Sequence, residues 1–306
     1  MSVKEGNDDF EITSCLFENN TALRGGGLSF HFSNSNINIS RSAFIHNTAI
    51  DQAGGAEFSF SNTDILIREC EFLRNVASTT SGGLRFFDGN VGVDIIDCIF
   101  RNNEALDNGG GIYFFSYNVY VSLSGILFDS NLLSRGVYGG SGLYLGNVNG
   151  YFDISSCIFF RNTAQSGAGA FRIAFQNYAI ELSQCTFEEN IIITTGNGGG
   201  LQVDHDNTVS LLDINFIQNT ASLGSGGGAY FSSRNSGTIC ERLFFKDNVA
   251  GSSGGALSFV TDHLGTMISN STFIRNIAGA AGAVGESVCN TVIFIHQYGL
   301  SIVIIC

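Results

Sequence analysis

The residues best equipped for chemistry are few and far apart. The run VDHDN, Val203 to Asn207, sets Asp204, His205 and Asp206 side by side. Two carboxylates around an imidazole can hold calcium or divide acid and base roles between them. The run stands where other stretches carry SNSN (33–36) or SNTD (61–64). Asp and Asn favour turns for local hydrogen-bonding reasons, so it reads first as a solvated turn. Cys15, Cys70, Cys98, Cys157 and Cys185 each precede a Phe by two residues. Stacking would bring Cys70 over Cys98 and Cys157 over Cys185, close enough for a disulfide but with poorly aimed Cβ atoms. Ser42, Ile126, Ile214, Leu243 and Ser271 fill the same place elsewhere, as a ladder of small buried side chains would. With no Cys-x-x-Cys and no nearby His to complete a zinc site, neither a metal nor a cofactor is expected.

A third set recurs once per repeat, between two apolar residues of an alternating stretch: Arg85, Tyr113, Tyr144, Arg172, Gln202 and Tyr230. Alternation of this kind marks a strand with one face in and one face out, so these six are expected to point outward in a line. Tyr and Arg are enriched at binding hot spots, and a line of them suits an extended glycan or peptide. Ordinary strand preference on a solvated face produces the same residue types, so the line reads first as an exposed strand.

The elements that must position these residues come from a repeat. Phe precedes Asn by three residues in ten copies, from Phe17/Asn20 to Phe273/Asn276, and Phe72, Phe100 and Phe128 are 28 residues apart. Such a period marks a solenoid. Each copy opens with glycines and an apolar-x-apolar strand, as in GGGIYF from Gly109. A polar turn follows, then a second alternating pair such as Val93/Ile95, a change of parity that implies a corner, and the Cys-x-Phe strand. The expected fold is all-β, a right-handed single-stranded parallel β-helix of about ten coils with three short strands per coil, the hand following the bias of parallel crossovers. At about 4.8 Å per coil the rod is on the order of 45 Å long. Phe72, Phe100 and Phe128 should stack inside it, and Asn75, Asn103 and Asn131 should form an internal amide ladder. The length from the glycines to the Phe is nearly constant and insertions fall between the Asn and the glycines, so each coil has one rigid side and one tolerant loop.

Composition narrows the partners. Charged residues are 13% and hydrophobic ones 44%, so the chain is not a disordered one. A formal charge of −13 repels phosphate backbones, and nucleic acid is not an expected partner. No apolar run reaches membrane-spanning length. The first residues, MSVKEGNDDFEITS, lack the apolar core of a signal peptide. Residues 1–284 read as one repeat domain that starts partway round a coil, as a monomer or part of a longer chain would, and 285–306 as an atypical apolar tail.

The Phe-x-x-N motif alternating with Gly-Gly-Ala-Leu, literal at Gly254 to Leu257, resembles the polymorphic membrane protein repeat best known from chlamydial autotransporter passengers. The resemblance covers about Phe10 to Val284. It implies an extracellular or cell-surface protein, structural or adhesive rather than enzymatic, with a glycan or surface-protein ligand. Two other readings stay open on this scaffold: a polysaccharide lyase or hydrolase of the pectin-lyase-like kind, and a spacer with no ligand.

Overall fold

In the computed structural model, which describes residues 1–135, 139–279 and 293–294, every regular element is a strand. The coil that begins at Leu84 shows the plan. Leu84–Asp88 lies in a first sheet, Val91–Ile96 in a second, Ile99–Arg101 in a third and Glu104–Ala105 in a fourth. Each strand pairs in parallel with its counterparts one coil before and after, as Phe72 with Phe100 and Phe100 with Phe128. The result is a parallel β-solenoid whose sheets run its whole length. One pair departs from this, Met267–Ser269 with Ile293–Phe294, which is antiparallel. Apart from that two-residue strand, the apolar tail from 285 lies outside the described residues.

The coil has four strands where three were expected. The fourth follows the Asn directly and is two residues long in most coils, too short for alternation to show in sequence. The corners are single residues in the left-handed region: Asp97 has φ 52° between the second and third sheets, and Asn102 has φ 55° just before Asn103. One such residue reverses the parity of the strand, which is the shift seen in the sequence.

Inside, the phenyl rings stack coil upon coil. Phe72 and Phe100 have centroids 4.6 Å apart, and Phe100 and Phe128 5.5 Å, all with no solvent exposure. A second stack, Phe58, Phe86 and Phe114, comes from the first sheet. Each buried ring contributes about 1.5–3 kcal/mol by leaving water.

The corner between the third and fourth sheets is held by the asparagines. Asn103 Oδ1 accepts from the backbone N–H and from Nδ2 of Asn75, each at 3.0 Å. Its own Nδ2 donates to Asn131 Oδ1 at 3.1 Å and to the Phe72 carbonyl at 2.8 Å. That saturates the side chain, which is why a wholly buried amide is tolerated here. A second ladder, not anticipated, runs through the corner between the first and second sheets. There Asn62 Nδ2 donates to Asn90 Oδ1 at 3.0 Å, and Asn90 Nδ2 to Asn118 Oδ1 at 2.9 Å.

Candidate functional site

The line of six aligns as expected but is not an open face. Arg85 pairs in register with Tyr113, Tyr113 with Tyr144, Tyr144 with Arg172, Arg172 with Gln202, and Gln202 with Tyr230. Yet Arg85 is 2% exposed, and Tyr113, Tyr144, Arg172 and Gln202 are also buried; Tyr230 alone is half-buried. Part of the cause is the glycine turn that leads into the strand. Gly109, at φ 61°, sits so close that a Cβ on it would meet Tyr113 Cβ at 2.8 Å. From the other side the Phe87 ring lies 4.3 Å from the Arg85 guanidinium, and Phe115 meets Tyr113 edge-on.

Under this cover Arg85, Arg172 and Gln202 each meet a buried acid. Arg85 Nη1 reaches Glu57 Oε1, and Arg172 Nε donates to Asp204 Oδ2 at 2.8 Å. Gln202 Nε2 donates to Asp204 Oδ1 at 2.7 Å. Asp204 is thus buried and engaged, not the solvated turn residue expected. Its neighbours in VDHDN diverge: Asp206 turns outward to Arg234, which holds its carboxyl below the usual range, while His205 stacks on Phe175. The three do not converge, and among the described residues no cluster of three or more His, Cys, Asp or Glu could hold a metal.

The cysteines split in the same way. Cys70, Cys98, Cys157 and Cys185 are buried and unbridged, and Cys15 is exposed. Hydrogen bonding with Cys70 and burial both push the Cys98 thiol up. These are packing residues.

What the rod does expose is an aromatic corner where the first sheet passes to the second. Tyr120 is 60% exposed, Tyr151 49% and Tyr178 38%. The Tyr120 and Tyr151 rings stack at 4.9 Å and 10°, so they turn their edges and hydroxyls to solvent. Tyr178 is rotated 86° to Tyr151 and lies across Gly150, where a Cβ would come within 2.2 Å of the ring. Tyr120 and Tyr151 have φ of 57° and 55°. The preceding coils put Asp64 and Gly92 in the left-handed region at this corner, residue types that accept it readily. A bulky ring held in the left-handed region costs on the order of 1–3 kcal/mol, and such strain gathers at functional positions. Beside the ring row runs a line of oxygens in register, the exposed Asp94, Asp153 and Glu181 and the half-buried Ser122. Sequence reasoning missed the corner because it looked for ligand contacts within the alternating strand. The signal was there: Tyr117, Tyr120, Tyr151 and Tyr178 crowd into polar turns that carry Ser and Asn elsewhere.

On the third sheet, Ile45, His46, Leu73, Arg74, Arg101 and Asn102 line an open cleft of about 280 Å³. No described helix is long and apolar enough to cross a membrane.

No curated protein and no solved structure matches the chain. One repeat does match a family: residues 97–114 correspond to the Chlamydia polymorphic membrane protein repeat. They run from the Asp97 corner through Phe100 and Asn103 and into the first sheet of the next coil at Phe114. The chain is therefore similar, at this unit, to a Chlamydia polymorphic membrane protein repeat, and it stacks successive versions of the unit into a parallel β-solenoid.

Proposed function

We propose that the chain is a surface-exposed or secreted adhesive rod that holds an extended neutral glycan along the Tyr120, Tyr151 and Tyr178 corner. The repeat match supports a surface role, and the observation that carries the binding reading is the row of exposed tyrosines, Tyr120, Tyr151 and Tyr178, on three successive coils. A chain of sugar rings lying along the rod meets a comb of phenol hydroxyls, then the flat ring of Tyr178. Aromatic bodies with polar tips suit such half-apolar rings. The carboxylates of Asp153 and Glu181 beside them accept hydrogen bonds from sugar hydroxyls and repel acidic sugars. A peptide strand is less favoured, because every inner strand of the second sheet already pairs on both sides and leaves no edge to extend. Asp206, Asp213 and Asp247 each meet an arginine from the next coil, so the acids open to a ligand at the corner are Asp153 and Glu181.

The experiment is retention on a neutral glycan array. Tyr120→Ser with Tyr151→Ser should lower retention at least tenfold with stability unchanged to within about 1 kcal/mol, as for surface substitutions. Gly150→Ala, which displaces the Tyr178 ring, should weaken it too. A wild-type rod that binds no neutral glycan, or a double variant that binds as well, removes the reading and leaves a spacer.

A further inference from the structure

Nine of the twelve arginines of this acidic rod meet an acid one coil away. Arg101 meets Asp129 at 2.7 Å, Arg161 meets Glu189 at 2.7 Å, Arg242 meets Asp213 at 2.6 Å and Arg275 meets Asp247 at 2.7 Å. Arg41, Arg68 and Arg74 break the rule: they form no ion pair and no side-chain hydrogen bond among the described residues, and position sets Arg74 apart from the other two. Arg74 stands in the middle of the third-sheet cleft, with His46 one coil before it and Asn102 one coil after, at φ 53°, 52° and 55°. Arg101 lines the same cleft. Only its Nε is engaged by Asp129, so both terminal nitrogens of its guanidinium remain available. The floor between these donors is apolar, formed by Ile45 and Leu73, which pair in register.

We infer that this cleft is an anion subsite for an acidic saccharide, taking a sulfate or carboxylate on Arg74 and Arg101 while the sugar ring lies on Ile45 and Leu73. The chemistry follows from the parts. A guanidinium presents a planar fork of donors that matches a carboxylate or sulfate in two parallel hydrogen bonds. His46 and Asn102 add single donors at either end. Ring-sized apolar contact beside a charged group is the profile of a uronate or sulfated sugar. An acidic peptide is the weaker candidate, because the third sheet binds on both sides through strands such as Glu71–Leu73 and Ile99–Arg101 and offers no backbone edge. In a chain of net charge −13, unpaired arginine in a cleft gives local complementarity that the surface as a whole opposes. The site is on a different sheet from the tyrosine corner and does not depend on it.

The test uses the full chain on three immobilised polysaccharides: a sulfated one (heparin), one acidic through uronate alone (polygalacturonate) and a neutral β-glucan. Retention on at least one of the acidic polymers should fall tenfold or more with Arg74→Asn, which keeps a residue tolerant of positive φ. It should fall with Arg74→Lys as well, since the fork is lost, and stay unchanged with Tyr120→Ser and Tyr151→Ser. The two acidic polymers tell sulfate from carboxylate. Arg234→Asn, the same charge change at a paired arginine, is the control for bulk electrostatics. Wild-type retention no greater on acidic than on neutral polymer overturns the assignment. So does equal loss with Arg234→Asn, or equally strong Arg74-dependent capture by poly-glutamate.

Discussion

Arg85 Nη1 and Glu57 Oε1 meet 2.5 Å apart on adjacent coils, with side-chain exposures of 3% and 1%. Neither partner is fully served: Glu57 Oε2 and Arg85 Nε have no hydrogen-bond partner within the protein. A buried pair of this kind is weak evidence of stability, since desolvation can exceed the attraction.

Burial raises the Glu57 carboxyl above its ordinary value of 4.5, and Arg85 offsets this only in part. A folded pKa above the unfolded one means that folding favours the protonated form. The contribution is therefore greatest below about pH 4.5 and is lost as pH rises through the raised value. Glu57→Gln removes the titration. The melting temperature of the variant should gain on wild type as pH rises from about 4 toward neutral, then hold level. A pH-independent difference, or one that moves in favour of wild type, would show that Arg85 dominates.

The two inner ladders should prove comparably important for different reasons. Phe100→Ala leaves a cavity between Phe72 and Phe128 and should cost about 3–5 kcal/mol. Asn103→Ala removes less volume but takes a partner from the Phe72 carbonyl and leaves both Asn75 donors without their acceptor, while Asn131 Oδ1 keeps the backbone N–H of residue 103. At about 1–3 kcal/mol per orphaned buried group, the loss should reach several kcal/mol. Urea midpoints of the two variants measure this, and an Asn103→Ala protein as stable as wild type would mean that water replaces the amide.

Tolerance to insertion should differ around the coil. A few Gly and Ser residues added between Ser134 and Arg135, in the segment whose length varies, should leave folding intact because loop entropy grows slowly with length. The same insertion between Ile95 and Ile96 shifts the register of Val91–Ile96 against both neighbouring coils. Circular dichroism melts read the contrast, and equal damage at both places would contradict it.

The repeat made the interior legible. Phe72, Phe100 and Phe128 could be placed because a side chain that must match the one above it recurs at a fixed position. The same logic found Asn75, Asn103 and Asn131. It did not find Asn62, Asn90 and Asn118, because Asn in a polar turn already has a local explanation that hides the long-range one. Nor could it show that Arg85 and Tyr113 are covered. Contacts from the Gly109 turn and from the rings of Phe87 and Phe115 lie across the strand, and spacing along one strand does not show what folds across it. Tyr120 and Tyr151 were lost for a related reason: a corner residue belongs to no alternation.

The asparagine ladder also has a polarity. From Asn20 to Asn248 every rung gives its backbone N–H and one Nδ2 hydrogen to the Asn of the following coil, and from Asn47 to Asn276 each carbonyl oxygen receives the same pair from the preceding one. Among the described residues, Asn20 Oδ1 receives nothing and Asn276 gives its side-chain donor only to the Phe245 carbonyl, so the two faces of the stack are chemically unlike. Continuation across either face is vectorial. A further coil, whether from the same chain or from another copy, fits the ladder only in the head-to-tail sense, because two like faces would set donor against donor or acceptor against acceptor.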